Sequence, residues 1–453
     1  MTRRALFRHW ALGISTPGRF ELSLTRLADI TPRPPRRPTR HSLPNAATNP
    51  ISAPHPAEGT PPRRRLRIGI VTVSYLPRLG GAVTQTLLLH KFLTARGHHV
   101  EVFCPDITKG GQFNEDGILV NRVHNRFLTS YDGTLARLAI LREFRRAILR
   151  RRADFDVFFT PEFNLGPLSL SLAPGTRAAG TYGADLTFEF LNIKRTDSIV
   201  PYDRVLRGKL GELGLVDWFF DTGLYALQRF MFRRLACVIT LNPADHARIA
   251  PHARRVASIG CVLVPPPLTS EMEAKPRATP RIATIIGRAV SWKRIDESLR
   301  VAERLRELWP GLEIHYFGTG PLLAHIERRF AGRFTLHKDL KNPQVLEWLS
   351  RSDVTVNMSD YETFCLTNCE AMLSRSLLLV KPLAEYADYI RGGENCILVP
   401  SVDAPGWREQ VQETFASGRV RGMLDVARQT IVEKYSIERT GAQIEELLTR
   451  LAE

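Results

Sequence analysis

Residues 67–105 read RIGIVTVSYLPRLGGAVTQTLLLHKFLTARGHHVEVFCP, and the pattern of this stretch predicts the fold class. Its first eleven residues are mostly apolar and rich in β-branched side chains, as in a strand that is buried on both faces. The pair Gly80–Gly81 marks a tight turn, and Gly97 is placed to cap a helix. Four apolar residues at helical spacing predict that helix: Leu87, Leu88, Phe92 and Leu93. A second strand, HHVEVFCP, completes a βαβ unit, which predicts a parallel sheet.

The same order of elements returns after residue 280. Residues 281–308 contain a strand, a loop and a long amphipathic helix, and LEIHYFGTGPLLAHIERRF repeats the pattern. Further strands are predicted within SDVTVNMSD, SLLLVKP and CILVPSVD. The predicted fold class is therefore α/β, with two facing Rossmann-like domains (the GT-B architecture), each a mostly parallel sheet with helices on both faces.

Composition marks the domain boundaries. Residues 1–65 carry twelve arginines, eleven prolines and three acidic residues, which predicts a disordered tail. Residues 264–280, VPPPLTSEMEAKPRATP, are rich in proline and polar residues and contain a linker. We predict an N-terminal domain, a linker, a C-terminal domain and a final helix that packs back on the N-terminal domain, at 66–268, 269–280, 281–430 and 431–453.

The net charge of +17 and the cysteine usage restrict the classes of function. The arginine-rich tail has three readings: an extension from a misplaced start codon, a targeting segment, or a polybasic arm for anionic lipid or nucleic acid. No specific nucleic-acid ligand is expected. No cysteines form a CxxC pair or a tight cluster with histidine, so a reducing cytoplasm fits better than a zinc or disulfide framework. Apolar runs fall short of the ~18 residues that span a bilayer.

Two facing doubly wound domains form a cleft at the carboxyl ends of their strands, where ligands usually bind. In the loop GRAVSWKR, Gly287 permits close backbone approach, and the cations Arg288 and Lys293 suit a diphosphate. The alternative is two solvated surface cations. Gly80 and Gly81 precede a helix whose N-terminus attracts anions, although they form no GxGxxG motif. The predicted functional loops are 77–82, 287–293, 318–321 and 358–367.

The segment YETFCLTNCEAM (361–372) holds two glutamates, Glu362 and Glu370. One reading is purely structural, because Thr367 to Glu370 has the T-x-x-E form of a capping box. A glycosidase pair fits less well: on a continuous helix the carboxylates would rise about 12 Å apart, against the ~5–9.5 Å that glycosidases use. We expect two separate duties, with Glu362 in a loop facing the cleft and Glu370 one turn into a helix.

The segment ETFCLTNCEAM resembles the E-x7-E signature of retaining, two-domain GT-B glycosyltransferases, specifically the family 4 group. Other blocks match that family in the same order: PRLGGA, TARGHHV, GR with Lys293, GTGP and ENCILVP. The similarity covers about residues 66–450. It implies a nucleoside diphosphate sugar as co-substrate, with no cofactor and no metal required.

The resemblance implies roles for the matching residues. Arg288 and Lys293 would bind the donor's diphosphate, Glu370 would hydrogen-bond the donor ribose, and Glu362 would contact the transferred sugar. Gly80–Gly81 would let the backbone approach the diphosphate and the acceptor. Backbone N–H groups would join the two cations at Phe364, Cys365, Leu366 and Thr367.

The sequence departs from the family's pattern in three places. Cys365 replaces the usual glycine after the aromatic residue. A small residue, glycine and proline are replaced by Leu373, Arg375 and Leu377, so the backbone beside the donor sugar is expected to differ. In TYGADLTFE, Tyr182 stands where many members have histidine; tyrosine donates a hydrogen bond but is no imidazole base near neutral pH. Tyr182 and Asp185 are kept as candidate contacts to the acceptor or donor sugar.

Two further features carry alternative readings. Asp154-Phe155-Asp156 has the D-x-D form of a metal site, but the aspartates precede the strand VFFT rather than follow it, so no metal site is expected there. The basic or aromatic helices at 141–152 and 216–235 fit either peripheral contact with an anionic membrane or core packing with a solvated cationic edge.

Together these observations predict a cytoplasmic, retaining glycosyltransferase, peripheral at the inner membrane face if its acceptor is lipid-linked. It would move a hexose from a nucleoside diphosphate sugar to a saccharide or lipid-linked acceptor. Two alternatives stay open: a nucleotide-sugar epimerase of the same fold, and a catalytically silent partner that binds a nucleotide sugar.

Overall fold

Two parallel sheets carry the fold. A computed structural model describes residues 64–73, 75, 81–105, 119–123, 134–161, 165–182, 226–338, 340 and 342–453. The first sheet contains β1 (Arg67–Val71), β2 (His99–Pro105), β3 (Leu119–Val123), β4 (Val157–Thr160), β5 (Ala178–Thr181), β6 (Cys237–Thr240) and β7 (Val256–Ser258). The second contains β8 (Ile282–Ile286), β9 (Glu313–Phe317), β10 (Thr335–His337), β11 (Val354–Asn357), β12 (Leu377–Val380) and β13 (Ile397–Leu398).

Helices connect these strands. The first domain has α1 (Gly81–Ala95), α2 (Thr134–Arg151), α3 (Leu165–Ser171) and α4 (Pro243–Ile249). The linker forms α5 (Ser270–Glu273). The second domain has α6 (Ile295–Leu308), α7 (Leu323–Arg329), α8 (Asn342–Arg351), α9 (Leu366–Leu373), α10 (Trp407–Ala416) and α11 (Val420–Tyr435), and α12 (Ile437–Ala452) follows.

The first sheet has the strand order β3-β2-β1-β4-β5-β6-β7, and its described pairings are all parallel. This confirms the predicted α/β class for the first domain. Gly69 in β1 is required by packing, because a Cβ there would lie 2.6 Å from the ring of Phe158 on β4. The predicted cap of α1 is also confirmed: Gly97 has φ +89° and donates its N–H to the carbonyl of Thr94.

The second sheet has the order β10-β9-β8-β11-β12-β13, again with parallel pairings. Strands β9 and β10 lie on one side of β8, and β11 to β13 lie on the other side. The neighbours β8 and β11 therefore flank a topological switch point. In such folds ligands bind outside the carboxyl ends of the two strands that flank the switch point. The loops that follow β8 and β11 are therefore where a ligand site is expected.

Helices α11 and α12 are separated by Ser436, which forms an isolated parallel β-bridge with Leu263. Helix α12 returns to the first domain, where its buried face joins the core around β1. Gly441 permits this packing, since a Cβ there would lie 2.9 Å from the ring of Phe92 on α1. The C-terminal segment thus crosses from the second domain to the first.

The arginine-rich segments fall only partly within the described residues. Residues 1–63 lie outside them, whereas Arg64 donates to Asp156 Oδ1 at 3.3 Å. Helix α2 buries an apolar face and exposes a row of arginines: Arg142, Arg145, Arg146 and Arg150. Residues 216–225 of the other candidate membrane helix lie outside the described part. Asp154 and Asp156 precede β4, as predicted, and bond to Arg151 and to the backbone N–H of Arg67.

Candidate active site

The loops that follow β8 and β9 are in backbone contact. Gly287 has φ +156°, donates its N–H to the carbonyl of Phe317 at 3.0 Å and accepts from the Tyr316 hydroxyl. A Cβ at Gly318 would lie 2.0 Å from the carbonyl oxygen of Gly287. The glycines of GRA and GTGP are therefore needed so that the two loops can approach each other.

Arg288 follows directly and is exposed at the carboxyl end of β8. Its loop is held by its neighbour, since the Ala289 N–H donates to the carbonyl of Thr319 at 2.8 Å. Within the described residues, no carboxylate lies within ion-pair distance of the Arg288 guanidinium. An exposed arginine on an anchored loop is suited to an anionic ligand.

Lys293 and Glu362 are in direct contact. Lys293 lies in the short 3-10 turn Ser291–Lys293, and its Nζ is 2.5 Å from Glu362 Oε1. The same carboxylate oxygen accepts from the Ser359 hydroxyl at 2.9 Å. Glu362 is 8% exposed, so its charge is largely removed from water. The structure thus brings together two of the predicted site residues across the β8–β11 switch point.

Asn357, the last residue of β11, holds the Glu362 loop in place. Its Oδ1 accepts from the Ser359 N–H at 3.0 Å, and its Nδ2 donates to Asn368 Oδ1 at 2.8 Å and approaches Cys365 Sγ at 3.1 Å. Sequence reasoning missed this residue. The available signal was a polar side chain at the end of the otherwise apolar run VTVN.

Helix α9 begins in an unexpected way. Cys365 precedes it in the left-handed conformation, with φ 62° and ψ 79°, at the position where the resemblance leads us to expect glycine. The helix starts at Leu366, so Thr367 lies inside it and makes no cap. The capping-box reading of Glu370 is therefore wrong, because the left-handed turn starts the helix before Thr367.

The N-terminus of α9 lies beside the first domain. The first N–H groups of a helix, here those of Leu366 and Thr367, have no acceptor within it. Gly81, the first residue of α1, lies beside this end: a Cβ there would be 2.9 Å from Leu366 Cδ1. Gly80 lies outside the described residues. The two predicted anion-binding helix starts, α1 and α9, thus meet at Gly81 and Leu366.

Glu370 lies in α9 and accepts from Asn342 Nδ2 at 2.9 Å. Burial raises the pKa of this carboxyl above its ordinary value, and the Asn342 hydrogen bond opposes the rise. Asn342 is the first residue of α8, and sequence reasoning missed it. The pair joins the amino end of α8 to the side of α9.

Phe364 anchors the segment that precedes α9. Its buried ring packs edge-on against Tyr435 with centroids 4.8 Å apart, and its carbonyl accepts from the Tyr389 hydroxyl at 2.7 Å. Gly260 of the first domain faces these rings, since a Cβ there would lie 2.9 Å from Phe364. Phe364 therefore fixes the course of the backbone.

Helix α4 of the first domain holds the same loop. Asn242 caps this helix and is buried, and its Nδ2 donates to the carbonyl of Thr363 at 2.6 Å. Arg248 at the other end of α4 forms an ion pair with Glu385 at 2.6 Å. These contacts between the two domains could not be predicted from the sequence, because their partners lie more than one hundred residues apart.

Tyr182 and the positions after α9 that depart from the family's pattern make other contacts. Tyr182 is buried at the end of β5, with its ring against Phe232 at 5.8 Å, so a sugar contact would require it to be uncovered. Asp185 lies outside the described residues. Arg375 has φ 57° and pairs with Asp425, so the turn after α9 is left-handed without glycine. Leu373 ends α9, and Leu377 begins β12.

Family comparisons agree with this arrangement. Residues 80–267 match the glycosyl transferase 4-like domain, and residues 280–417 match the glycosyl transferases group 1 family. A comparison with curated proteins found no match.

Solved structures of the same architecture are similar at low sequence identity. Sucrose-phosphate synthase from Thermosynechococcus elongatus has a TM-score of 0.63 at 14% identity, covering 85% of this chain and 99% of that one. The catalytic domain of starch synthase IV from Arabidopsis thaliana, bound to ADP and acarbose, has 0.62 at 15%, covering 86% and 100%. HepE from Anabaena, bound to UDP and glucose, has 0.61 at 13%, covering 85% and 100%. At these identities the similarity establishes the fold.

Two parallel α/β domains with a site at the second domain's switch point define a protein of the GT-B class. The chain is a GT-B glycosyltransferase, with a glycosyl transferase 4-like domain followed by a glycosyl transferases group 1 domain. Every helix in the described ranges is too short or too polar to span a bilayer.

Proposed function

We propose that this chain transfers a hexose from a nucleoside diphosphate sugar to a saccharide or lipid-linked acceptor, with retention of anomeric configuration, as a member of family 4. The observation that carries the proposal is the contact between Lys293 and Glu362 at the β8–β11 switch point. It joins a cation suited to a phosphate with a carboxylate suited to sugar hydroxyls.

The donor's diphosphate is assigned to the space between the β8 loop and the N-terminus of α9. Arg288 offers an unpaired guanidinium in the described part of the chain, and Leu366 and Thr367 offer helix N–H groups. Lys293 keeps its contact with Glu362 while it binds phosphate, because an ammonium has three N–H donors. Glu370 is assigned to the ribose hydroxyls, one helical turn beyond the phosphate.

The chemical step follows from these positions. As the bond between the sugar and the phosphate breaks, negative charge develops on the leaving diphosphate, where Arg288 and Lys293 stabilise it. The acceptor hydroxyl attacks the same face of the sugar and passes its proton to the leaving phosphate. Glu362 orients the transferred sugar. No side chain is assigned as a covalent nucleophile, and no metal ion is invoked.

The donor is proposed as a class of nucleotide, and the location as the cytoplasm or its membrane face. HepE binds UDP and starch synthase IV binds ADP in their solved structures, which supports a nucleoside diphosphate for this chain. The exposed arginine row of α2 supports peripheral contact with an anionic membrane, since each basic residue near such a surface contributes about 1 kcal/mol. We accordingly propose a cytoplasmic enzyme that works at the membrane face when its acceptor carries a lipid.

A thermal-shift screen against UDP-, GDP- and ADP-sugars tests the proposal, because a ligand at 100 times its Kd stabilises the folded protein by about 2.7 kcal/mol. The stabilising donor is then incubated with saccharide and lipid-linked acceptors, and the anomeric configuration of the product is read by NMR. We expect transfer with retention, lost in Glu362→Gln while donor binding is kept. Isomerisation of the donor without acceptor would support an epimerase instead, and binding without any turnover would support a silent partner.

A further inference from the structure

Lys275 is a buried lysine that the proposed chemistry does not use. It lies in the linker after α5 and is 1% exposed. Its Nζ donates to the carbonyls of Ser352 and Ser374 at 2.8 Å and of Leu349 at 3.2 Å. A side chain with this much hydration to lose is retained in a core only where its charge is satisfied.

The three carbonyls belong to the ends of two helices of the candidate site. Leu349 and Ser352 lie at the carboxyl end of α8, and Ser374 directly follows α9. A cation at a helix carboxyl end binds the free carbonyls there and complements the helix dipole. Lys275 therefore joins the carboxyl ends of α8 and α9. Asn342 and the free N–H groups of α9 lie at the amino ends of the same two helices.

Only the charged form of Lys275 makes all three hydrogen bonds, because a neutral amine has two N–H groups. Burial lowers the pKa of Lys275 to about 7. Among the charged groups around it, Asp353 and Glu271 raise this pKa, whereas Arg277 and Arg375 lower it. The number of carbonyls that Lys275 holds thus changes close to neutral pH.

We propose that Lys275 is a positioning residue for donor binding: its ammonium fixes α8 against α9, and thereby sets the contact between Asn342 and Glu370 and the placement of the α9 N-terminus. This inference rests on the proposed function. The donor is bound most tightly while all three carbonyls are held. Loss of one hydrogen bond is expected to weaken donor binding roughly 2- to 13-fold, from the ~0.5–1.5 kcal/mol of a typical net hydrogen bond.

The test measures Kd for UDP-glucose, ADP-glucose and GDP-mannose, and KM and kcat with the donor that binds, between pH 5.5 and 9. Neither the diphosphate nor the base of these sugars titrates near pH 7, so the protein supplies any transition there. In the wild type we expect KM to rise above about pH 7, with kcat changed less. Lys275→Arg, whose charge does not titrate in this range, should abolish the pH-dependent rise in KM. Lys275→Met should show a raised KM at every pH.

The control is Lys91→Met, an exposed lysine of α1 whose loss should leave the pH profile unchanged. Circular dichroism checks folding; should Lys275→Met not fold, the wild-type and Lys275→Arg profiles decide. A wild-type KM that is flat from pH 5.5 to 9, or a transition that persists in Lys275→Arg, overturns the inference alone. A wild type that binds none of the three sugars overturns the proposed function as well.

Discussion

Removing the ammonium of Lys293 tests the ion pair on which the candidate site depends. In Lys293→Met the Glu362 carboxylate stays 8% exposed, with the Ser359 hydroxyl as its one remaining partner recorded in the described residues. Breaking a fully buried pair by removing one partner costs about 3–5 kcal/mol. Because the Lys293 side chain is 26% exposed, we expect a smaller loss of unfolding free energy, about 2–3 kcal/mol.

The double variant Lys293→Met/Glu362→Gln should recover part of that loss, since no uncompensated charge then remains. We expect a coupling of about 1–2 kcal/mol in a double-mutant cycle, measured by urea denaturation followed by circular dichroism. The matched control is Lys381–Asp360, also 2.5 Å apart but with an Asp360 side chain that is 28% exposed. Its coupling should stay below about 1 kcal/mol.

Transfer assays on the same variants separate the effect on stability from the effect on function. Lys293→Met should lose transfer beyond what its unfolded fraction explains, and Lys381→Met should keep it. A Lys293–Glu362 coupling below about 0.5 kcal/mol would show that the two residues act independently. That result, or full transfer activity in Lys293→Met, would contradict the proposed role of the Lys293–Glu362 ion pair.

Three further predictions concern single residues. Cys365→Gly should keep donor binding and change stability by less than about 1 kcal/mol, because relief of the left-handed strain offsets the lost thiol packing; Cys365→Val should be clearly less stable in thermal melts, and equal stability of both would contradict the strained turn. Glu370→Gln should raise Tm at neutral pH, since burial opposes the Glu370 charge, yet weaken donor binding in calorimetry; loss of both would indicate a structural role. The pKa of Lys275 is lowered in the folded state, so its contribution to stability is lost as pH falls through about 7 and grows toward the unfolded value of 10.5. The free energy of unfolding of wild type minus that of Lys275→Met should therefore rise between pH 7 and 10 in urea titrations, and a constant difference would contradict the shift.

Most strands of the second sheet could be predicted from the sequence, because strands buried on both faces are continuous apolar runs such as IATII in β8. In the first sheet β3, β5, β6 and β7 were not predicted. Strand β10 was missed: it has three residues, TLH, and its side chains are at most partly buried. The location of the Lys293 and Glu362 loops at one edge could be predicted, since loops after parallel strands emerge at the same edge. The direct contact between the two side chains was not predicted.

The remaining site residues could not be predicted, because their roles depend on contacts that are distant in sequence. Asn242 reaches Thr363 from the other domain, and Asn342 reaches Glu370 from another helix. The start of α9 was misplaced for a different reason. Local propensity disfavours a left-handed cysteine, and the contacts around Cys365 override that preference.

In the proposed mechanism, the binding site of the nucleotide diphosphate lies between the β8 loop and the N-terminus of α9. It is tested most directly by calorimetric titration of the stabilising nucleotide sugar into the wild type, Arg288→Ala and Arg281→Ala. Arg281 is an exposed arginine immediately before β8, at its opposite end, and serves as the matched control.

Arg288→Ala should unfold within about 0.5 kcal/mol of the wild type, since its exposed side chain supports no contact in the described structure. It should nevertheless bind the donor about 10- to 100-fold more weakly, because a hydrogen bond to a charged group contributes about 1.5–3 kcal/mol, whereas Arg281→Ala should bind as the wild type does. Equal affinities of Arg288→Ala and the wild type would contradict the assignment of the diphosphate to this end of the sheet.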